Sequence, residues 1–339
     1  MILEKLWSTD FSQRFSDFPI FYQDVNQVHL MESKNTFTAF SLKEGKELWS
    51  VSEGKSLFAH SLLCNKFFFL IGYDIFSDQE DETLIVDQEG TCLKIESKLW
   101  PRIFDEKHVA DSDLNVFESQ VCVKVDSYSE LIEKLKEDGR ITSLYESDTM
   151  LYPSLKQVTD DSFIVYIPIA TQPLVVSLRK DKNYKLNYLI KGAPNNSNYK
   201  NFLLIKEEKD NDGFGIFDLD NGEKLGDIEF SSNVKELDGK IYFVAKESYT
   251  IKVWSRDKGV EDIVLEEYGV DVIYFFTEKY IIASTANTQR KFNIYFYNYD
   301  GSLVHHEVFD GKGFEVYSAT SEYLAIYKSN AISIYSIED

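Results

Sequence analysis

Proline is scarce, at six in 339 residues, and no low-complexity stretch occurs. Both features weigh against disorder and against a long linker. No apolar run approaches the roughly 18 residues that a membrane helix needs. The start, MILEKLWSTDF, lacks a basic segment followed by a long apolar one, so no secretory signal is evident and the cytoplasm is the expected compartment. Cysteine is rare too. Cys64, Cys92 and Cys122 are an odd number, widely spaced and set in apolar, strand-like surroundings. They read as buried free thiols in a reducing environment, not as a disulfide framework.

Positive charge is the largest deficit. Only 36 basic residues face 57 acidic ones, a formal charge of −21. Such a surface repels nucleic acid and anionic membranes and favours a basic protein partner. The simpler alternative is that acidity keeps a large β protein dissolved.

Catalytic signatures are also missing. There is no G-x-S-x-G elbow, no Walker loop and no Rossmann glycine fingerprint. His29, His60, His108, His305 and His306 show no zinc-like spacing to one another or to cysteine. His29 and His60 lie in strand-like surroundings and read as packed or hydrogen-bonded. His305 and His306 are adjacent and would point to opposite faces of a strand. Asp210-Asn211-Asp212-Gly213 resembles the start of a calcium loop, but nothing supplies the later ligands. No cofactor and no metal is expected.

What the chain has in quantity is aromatic residues, 15% of the total and mostly Tyr and Phe, as suits strands. Thr36 to Ser50, TFTAFSLKEGKELWS, is the sharpest element. Thr36 to Leu42 reads as a strand, Lys43 to Gly45 as a turn, and Lys46 to Ser50 as a returning strand that carries Trp49. A lone hairpin is barely stable in water, so copies are required.

Copies are present. A polar pair followed by a strongly apolar strand occurs at Asn26-Gln27, Asn65-Lys66, Ser119-Gln120, Asp161-Ser162, Lys200-Asn201, Gly239-Lys240, Glu278-Lys279 and Ser321-Glu322. The intervals are mostly about 39 to 43 residues. A second marker is a polar residue with Gly or Asp a few positions later. It recurs at Ser41 to Gly45, Asp87 to Gly90, Ser177 to Asp181, Asp218 to Gly222, Ser255 to Gly259 and Asn298 to Gly301, with a looser form at Glu137 to Gly139. The two markers interleave and predict four strands per unit of about 42 residues.

The final unit, Phe314 to Ile337, supplies only three strands. Glu4-Lys5-Leu6-Trp7-Ser8 matches Lys46-Glu47-Leu48-Trp49-Ser50 and is the natural fourth. The pattern predicts a single-domain, all-β propeller over residues 1–339 with about eight four-stranded blades, closed by the N-terminal strand on the C-terminal blade. Two regions strain this count. Asp126 to Gly139, DSYSELIEKLKEDG, reads as a short helix capped by Asp126 or Ser127. Ala193 to Tyr199 makes a weak inner strand. If either blade fails, the ring has seven.

Ala39, Ser41, Gly45 and Trp49 stand where the repeat of quinoprotein-like (PQQ-type) propellers places a small residue, an aspartate-like residue, a glycine turn and a Trp. Asp218 with Gly222, and Ser255 with Gly259, match in part. The chain thus resembles that family, in which eight blades are common and the Trp packs between neighbouring blades. None of the family's quinone or calcium ligands can be matched here, so the resemblance implies a non-catalytic member.

The candidate binding residues are acidic. Asp78, Glu80, Asp81 and Glu82 fall in one expected loop, Asp105 and Glu106 in a connection over Phe104 to Asp113, and Glu207, Glu208, Asp210 and Asp212 in another. Placed on one rim, they would steer a basic partner. The expected function is protein binding, most concretely an immunity-type inhibitor that masks a basic, nuclease-like toxin. The protein is expected to be monomeric apart from that partner. The alternatives are a propeller enzyme with its site in the central channel, or a scaffold subunit of a larger complex.

Overall fold

The computed structural model of the chain describes residues 1–10, 20–22, 26–33, 36–52, 56–63, 67–73, 82–87, 89–95, 102–103, 108–110, 115–118, 123–127, 154–159, 162–166, 174–177, 182–185, 201–206, 213–218, 221–246, 250–266, 272–285 and 291–338. Among the described residues all regular structure is β, in eight antiparallel sheets, seven of four strands and one of three. The chain divides into two compact units, Met1–Lys98 with Ile263–Asp339, and Leu99–Asp262.

In the first unit, the opening sheet comprises Ile20–Tyr22, Gln27–Ser33, Thr36–Ser41 and Glu47–Ser52. The second comprises Ser56–Leu63, Phe67–Tyr73, Glu82–Asp87 and Cys92–Ile95. The seventh comprises Val272–Phe276, Ile281–Thr285, Lys291–Tyr297 and Leu303–Asp310. The last joins Phe314–Ala319, Tyr323–Lys328 and Ala331–Glu338 to Ile2–Asp10. Ile2–Asp10 runs antiparallel to Ala331–Glu338, from Ile2 opposite Glu338 to Asp10 opposite Ala331, with a bulge at Leu6. The fourth strand of the last sheet therefore comes from the chain's start, as the repeat pattern predicts.

Burial on both faces explains the apolar runs. Thr36–Ser41 is buried from Phe37 onward. Phe37 and Ala39 pack with Trp49, Leu84 and Val86 of the opening and second sheets. Phe40 and Leu42 pack on the other side with Tyr323, Ala325, Ile332 and Ile334 of the last sheet. A third cluster joins Ile282, Phe292 and Phe296 of the seventh sheet to Phe314, Leu324 and Ile326 of the last. Each core thus lies between two sheets, and each fully buried large side chain contributes about 1.5–3 kcal/mol.

The second unit holds four sheets. The third comprises Arg102–Ile103, His108–Ala110, Asn115–Glu118 and Val123–Ser127. The fourth comprises Ser154–Thr159, Ser162–Tyr166, Leu174–Ser177 and Lys182–Lys185. The fifth comprises Phe202–Lys206, Phe214–Asp218 and Lys224–Ile228, and the sixth Phe230–Leu237, Lys240–Ala245, Ile251–Ser255 and Gly259–Asp262. Phe202, Leu204 and Ile216 pack against Ile241, Phe243 and Trp254 between the fifth and sixth sheets.

The turns before the last strands share one device. Ser41 N–H donates to Lys46 O at 2.8 Å, and Gly45 N–H to Ser41 O at 2.9 Å. Asp218 repeats both bonds, giving to Glu223 O and accepting from Gly222 N–H at 2.8 Å each. In both turns the glycine has positive φ, 65° at Gly45 and 73° at Gly222.

Two sequence expectations need correction. The marker at Ser119-Gln120 precedes the fourth strand of its sheet, Val123–Ser127, not the second. The second strand is His108–Ala110. Second strands therefore begin at Phe67, His108 and Ser162. The intervals are 108 − 67 = 41 and 162 − 108 = 54, so the long one falls after the third sheet. Asp126 and Ser127 are the last two residues of Val123–Ser127, paired opposite Val116 and Asn115. The helix expected after them lies outside the described residues, as do Ala193 to Tyr199 and Glu137 to Gly139. Cys92 is exposed at the head of the last strand of its sheet rather than buried. Cys64 and Cys122 lie outside the described residues.

Candidate functional site

Most of the predicted acidic residues, Asp78, Glu80, Asp81, Asp105, Glu106, Glu207, Glu208, Asp210 and Asp212, lie outside the described residues. The described strands still fix where some of them fall along the chain. Residues 74–81 connect the second and third strands of the second sheet, and Glu82 opens its third strand, opposite Gly72. Phe104 to Asp113 is not one connection, because His108–Ala110 is a strand within it. Asp105 and Glu106 therefore fall between the first and second strands of their sheet.

The side chains of His29, His305 and His306 are each held by neighbouring side chains. His29 is 1% exposed, with Nε2 at 2.9 Å from Gln27 Oε1. Its ring centroid lies 4.6 Å from Tyr22, 5.3 Å from Phe37 and 5.1 Å from Trp49. Burial among these rings pushes its imidazole down to about 3. His305 and His306 do take opposite faces. His305 Nε2 lies 3.2 Å from Glu307 Oε2, while His306 stacks on Tyr295 and reaches Asn293 Oδ1 at 3.1 Å. Among the described residues no three His, Cys, Asp or Glu side chains gather as a metal site would require.

The surface feature with the clearest geometry is a sheet edge that sequence reasoning did not single out. Leu303–Asp310 is the last strand of the seventh sheet, paired with Lys291–Tyr297 on one side. Its burial alternates along all eight residues. Leu303, His305, Glu307 and Phe309 are half-buried, and Phe309 packs near Phe292, Phe314 and Tyr335. Val304, His306, Val308 and Asp310 are exposed. At its start, Leu303 N–H donates to Glu266 Oε2 at 2.9 Å, and Ser302 N–H to Asp300 Oδ1 at 2.9 Å. The alternation L-V-H-H-E-V-F-D was visible in the sequence, but its double histidine drew attention to metal chemistry instead.

No family model and no curated protein matches the chain. Solved structures do. The crystal structure of BamB from Moraxella catarrhalis is 10% identical with a TM-score of 0.56, over 99% of this chain and 100% of that one. The C-terminal WD40 domain of Sif2 is 10% identical with a TM-score of 0.58, over 100% and 99%. The computationally designed Ika8 protein is 13% identical with a TM-score of 0.55, over 98% and 100%. At such identities the likeness shows the fold alone: all-β, propeller-like, an array of mostly four-stranded antiparallel sheets.

Proposed function

We propose that this chain is a protein-binding β-propeller whose partner is basic. The observation that carries the reading is the charge of −21, set by 57 acidic against 36 basic residues. A field of that sign accelerates encounter with a cationic protein and disfavours nucleic acid. In its most concrete form, the protein is an immunity-type inhibitor that neutralises a nuclease-like toxin. Within this reading the chain is a degenerate, non-catalytic relative of the quinoprotein-like propellers, monomeric apart from its partner and cytoplasmic. Its eight sheets are the blades of one closed ring, a single domain. The pairing of Ile2–Asp10 with Ala331–Glu338 supports that closure.

Capture on the immobilised full chain from its host's extract tests the reading. At about 50 mM salt, proteins of high isoelectric point should be retained, and at about 500 mM they should elute, because screening shortens the reach of surface charge. An eluted partner should show nuclease activity that added chain suppresses. Retention of acidic proteins alone, or capture indifferent to salt, overturns the proposal.

A further inference from the structure

We propose that the edge strand Leu303–Asp310 is a strand-addition site for an extended, basic segment of the partner protein. This rests on the reading of a basic partner and names where and how that partner docks.

In a propeller the first strand of each sheet lines the axis and the last forms the rim, where another chain can reach it. An edge strand leaves the N–H and C=O groups of alternate residues unpaired on its outer side. Proteins blunt such edges with lysine, bulges or brevity. This chain does so nearly everywhere. Lys5, Lys94, Lys124, Lys182 and Lys224 stand within the last strands of five sheets, counting Ile2–Asp10 for the last sheet. Two further last strands, Glu47–Ser52 and Gly259–Asp262, have 6 and 4 residues, and Lys46 and Lys258 directly precede them.

Leu303–Asp310 breaks the pattern. It has 8 residues and contains neither lysine nor proline, and among the described residues no strand lies on its outer side. Its one irregularity is the bulge at Val304, so His305 to Asp310 pairs regularly with its neighbour. Val304 and Val308 are 37% and 41% exposed on the same face, as apolar sites for the alternate side chains of an added strand. Its ionised groups are Glu307 and Asp310, and Asp300 and Glu266 add two carboxylates at its start. Lys291 stands opposite Asp310, and Lys312 lies beyond the end, which leaves the strip net acidic. A cationic strand therefore complements the edge, and an acidic one is repelled. Packing of Phe309 and stacking of His306 hold the strand ready, which lowers the ordering cost of binding.

The test uses the full chain and three labelled ten-residue peptides, alternating Lys with Val, Glu with Val, and Lys with Pro, read by fluorescence anisotropy at low salt. The Lys/Val peptide should bind, and its binding should slow amide exchange over residues 303–310. In the Lys/Pro peptide every second residue lacks an N–H and has φ fixed near −65°, far from the extended antiparallel value, so it should bind at least about tenfold more weakly. Val308→Lys should weaken Lys/Val binding at least about tenfold, and more than Val308→Asp, which loses the same apolar contact but attracts the peptide's lysines. Thermal midpoints establish that the variants are folded, and Val304→Lys takes the arm if Val308→Lys is not. Lys/Val binding that survives the lysine variants or the prolines overturns the edge site while a basic partner still stands. Binding by none of the peptides overturns the edge site. Preference for the Glu/Val peptide overturns both.

Discussion

Trp7 fills the space that a side chain at position 45 would need. A Cβ on Gly45 would sit 2.5 Å from Trp7 Cγ and 2.6 Å from Cδ2, and Trp7 Nε1–H donates to Leu42 O at 2.9 Å. One indole thereby ties the N-terminal strand to the turn of the opening sheet. Trp49 repeats the contact against Gly90 of the second sheet. Gly45→Ala should carry two costs, about 1 kcal/mol for its φ of +65° and about 1–3 kcal/mol for displacing the indole. Gly259, at +71° with nothing within 4 Å of an added Cβ, should show only the first cost on Gly259→Ala. Urea denaturation of both variants decides the matter. Equal losses would mean that Trp7 yields freely.

The two tryptophans differ in depth, so their removal should differ in cost. Trp49 is 7% exposed, whereas Trp7 is only half-buried. Trp49→Ser should cost about 3–5 kcal/mol and Trp7→Ser about 2 kcal/mol. Deleting the first ten residues should cost far more than Trp7→Ser, because it strips Ala331–Glu338 of its neighbour along the whole length. A truncated chain as stable as the full one would rule out a structural role for that pairing.

His29 gives the fold an acid limb. Its folded value of about 3 lies below the 6.5 of the free side chain. Between these values the unfolded chain holds a proton that the folded chain excludes, so stability falls as pH drops from about 6.5 towards 3 and is fully present above 6.5. The total is on the order of 5 kcal/mol. Denaturation at pH 7, 6 and 5 should show this slope in the wild type and a flatter one in His29→Gln. Parallel slopes would assign the acid sensitivity to other groups.

Much of this fold could be read from the sequence, because two signals are local. Apolar runs such as Ile281 to Thr285 are buried on both faces, and positive-φ turns such as Ser41 to Gly45 need their glycine. The missing strand of the last sheet was legible from the likeness of Glu4–Ser8 to Lys46–Ser50. The third sheet was not, because its second strand, His108–Ala110, has three residues and no apolar run to announce it. The edge at Leu303–Asp310 was invisible for another reason. Its meaning lies in which side of the strand goes unpaired and in how the other edges are guarded, and pairing is a property of the sheet.

Arg256 reaches from the turn after Ile251–Ser255 to Asp218, which ends Phe214–Asp218 of the neighbouring sheet. The two side chains are unequally exposed, 60% for Arg256 and 12% for Asp218. An exposed pair would be worth little, since water and salt screen it. Here the carboxylate is mostly withdrawn from water, so removing its partner leaves a poorly solvated charge. Arg256→Ala should cost about 1–2 kcal/mol, and Asp218→Asn less, because Asn keeps a hydrogen-bond acceptor and introduces no unpaired buried charge. The double variant should then recover part of the Arg256→Ala loss. A thermodynamic cycle by urea denaturation measures this coupling, and strict additivity would show that the two turns are held together by backbone and packing alone.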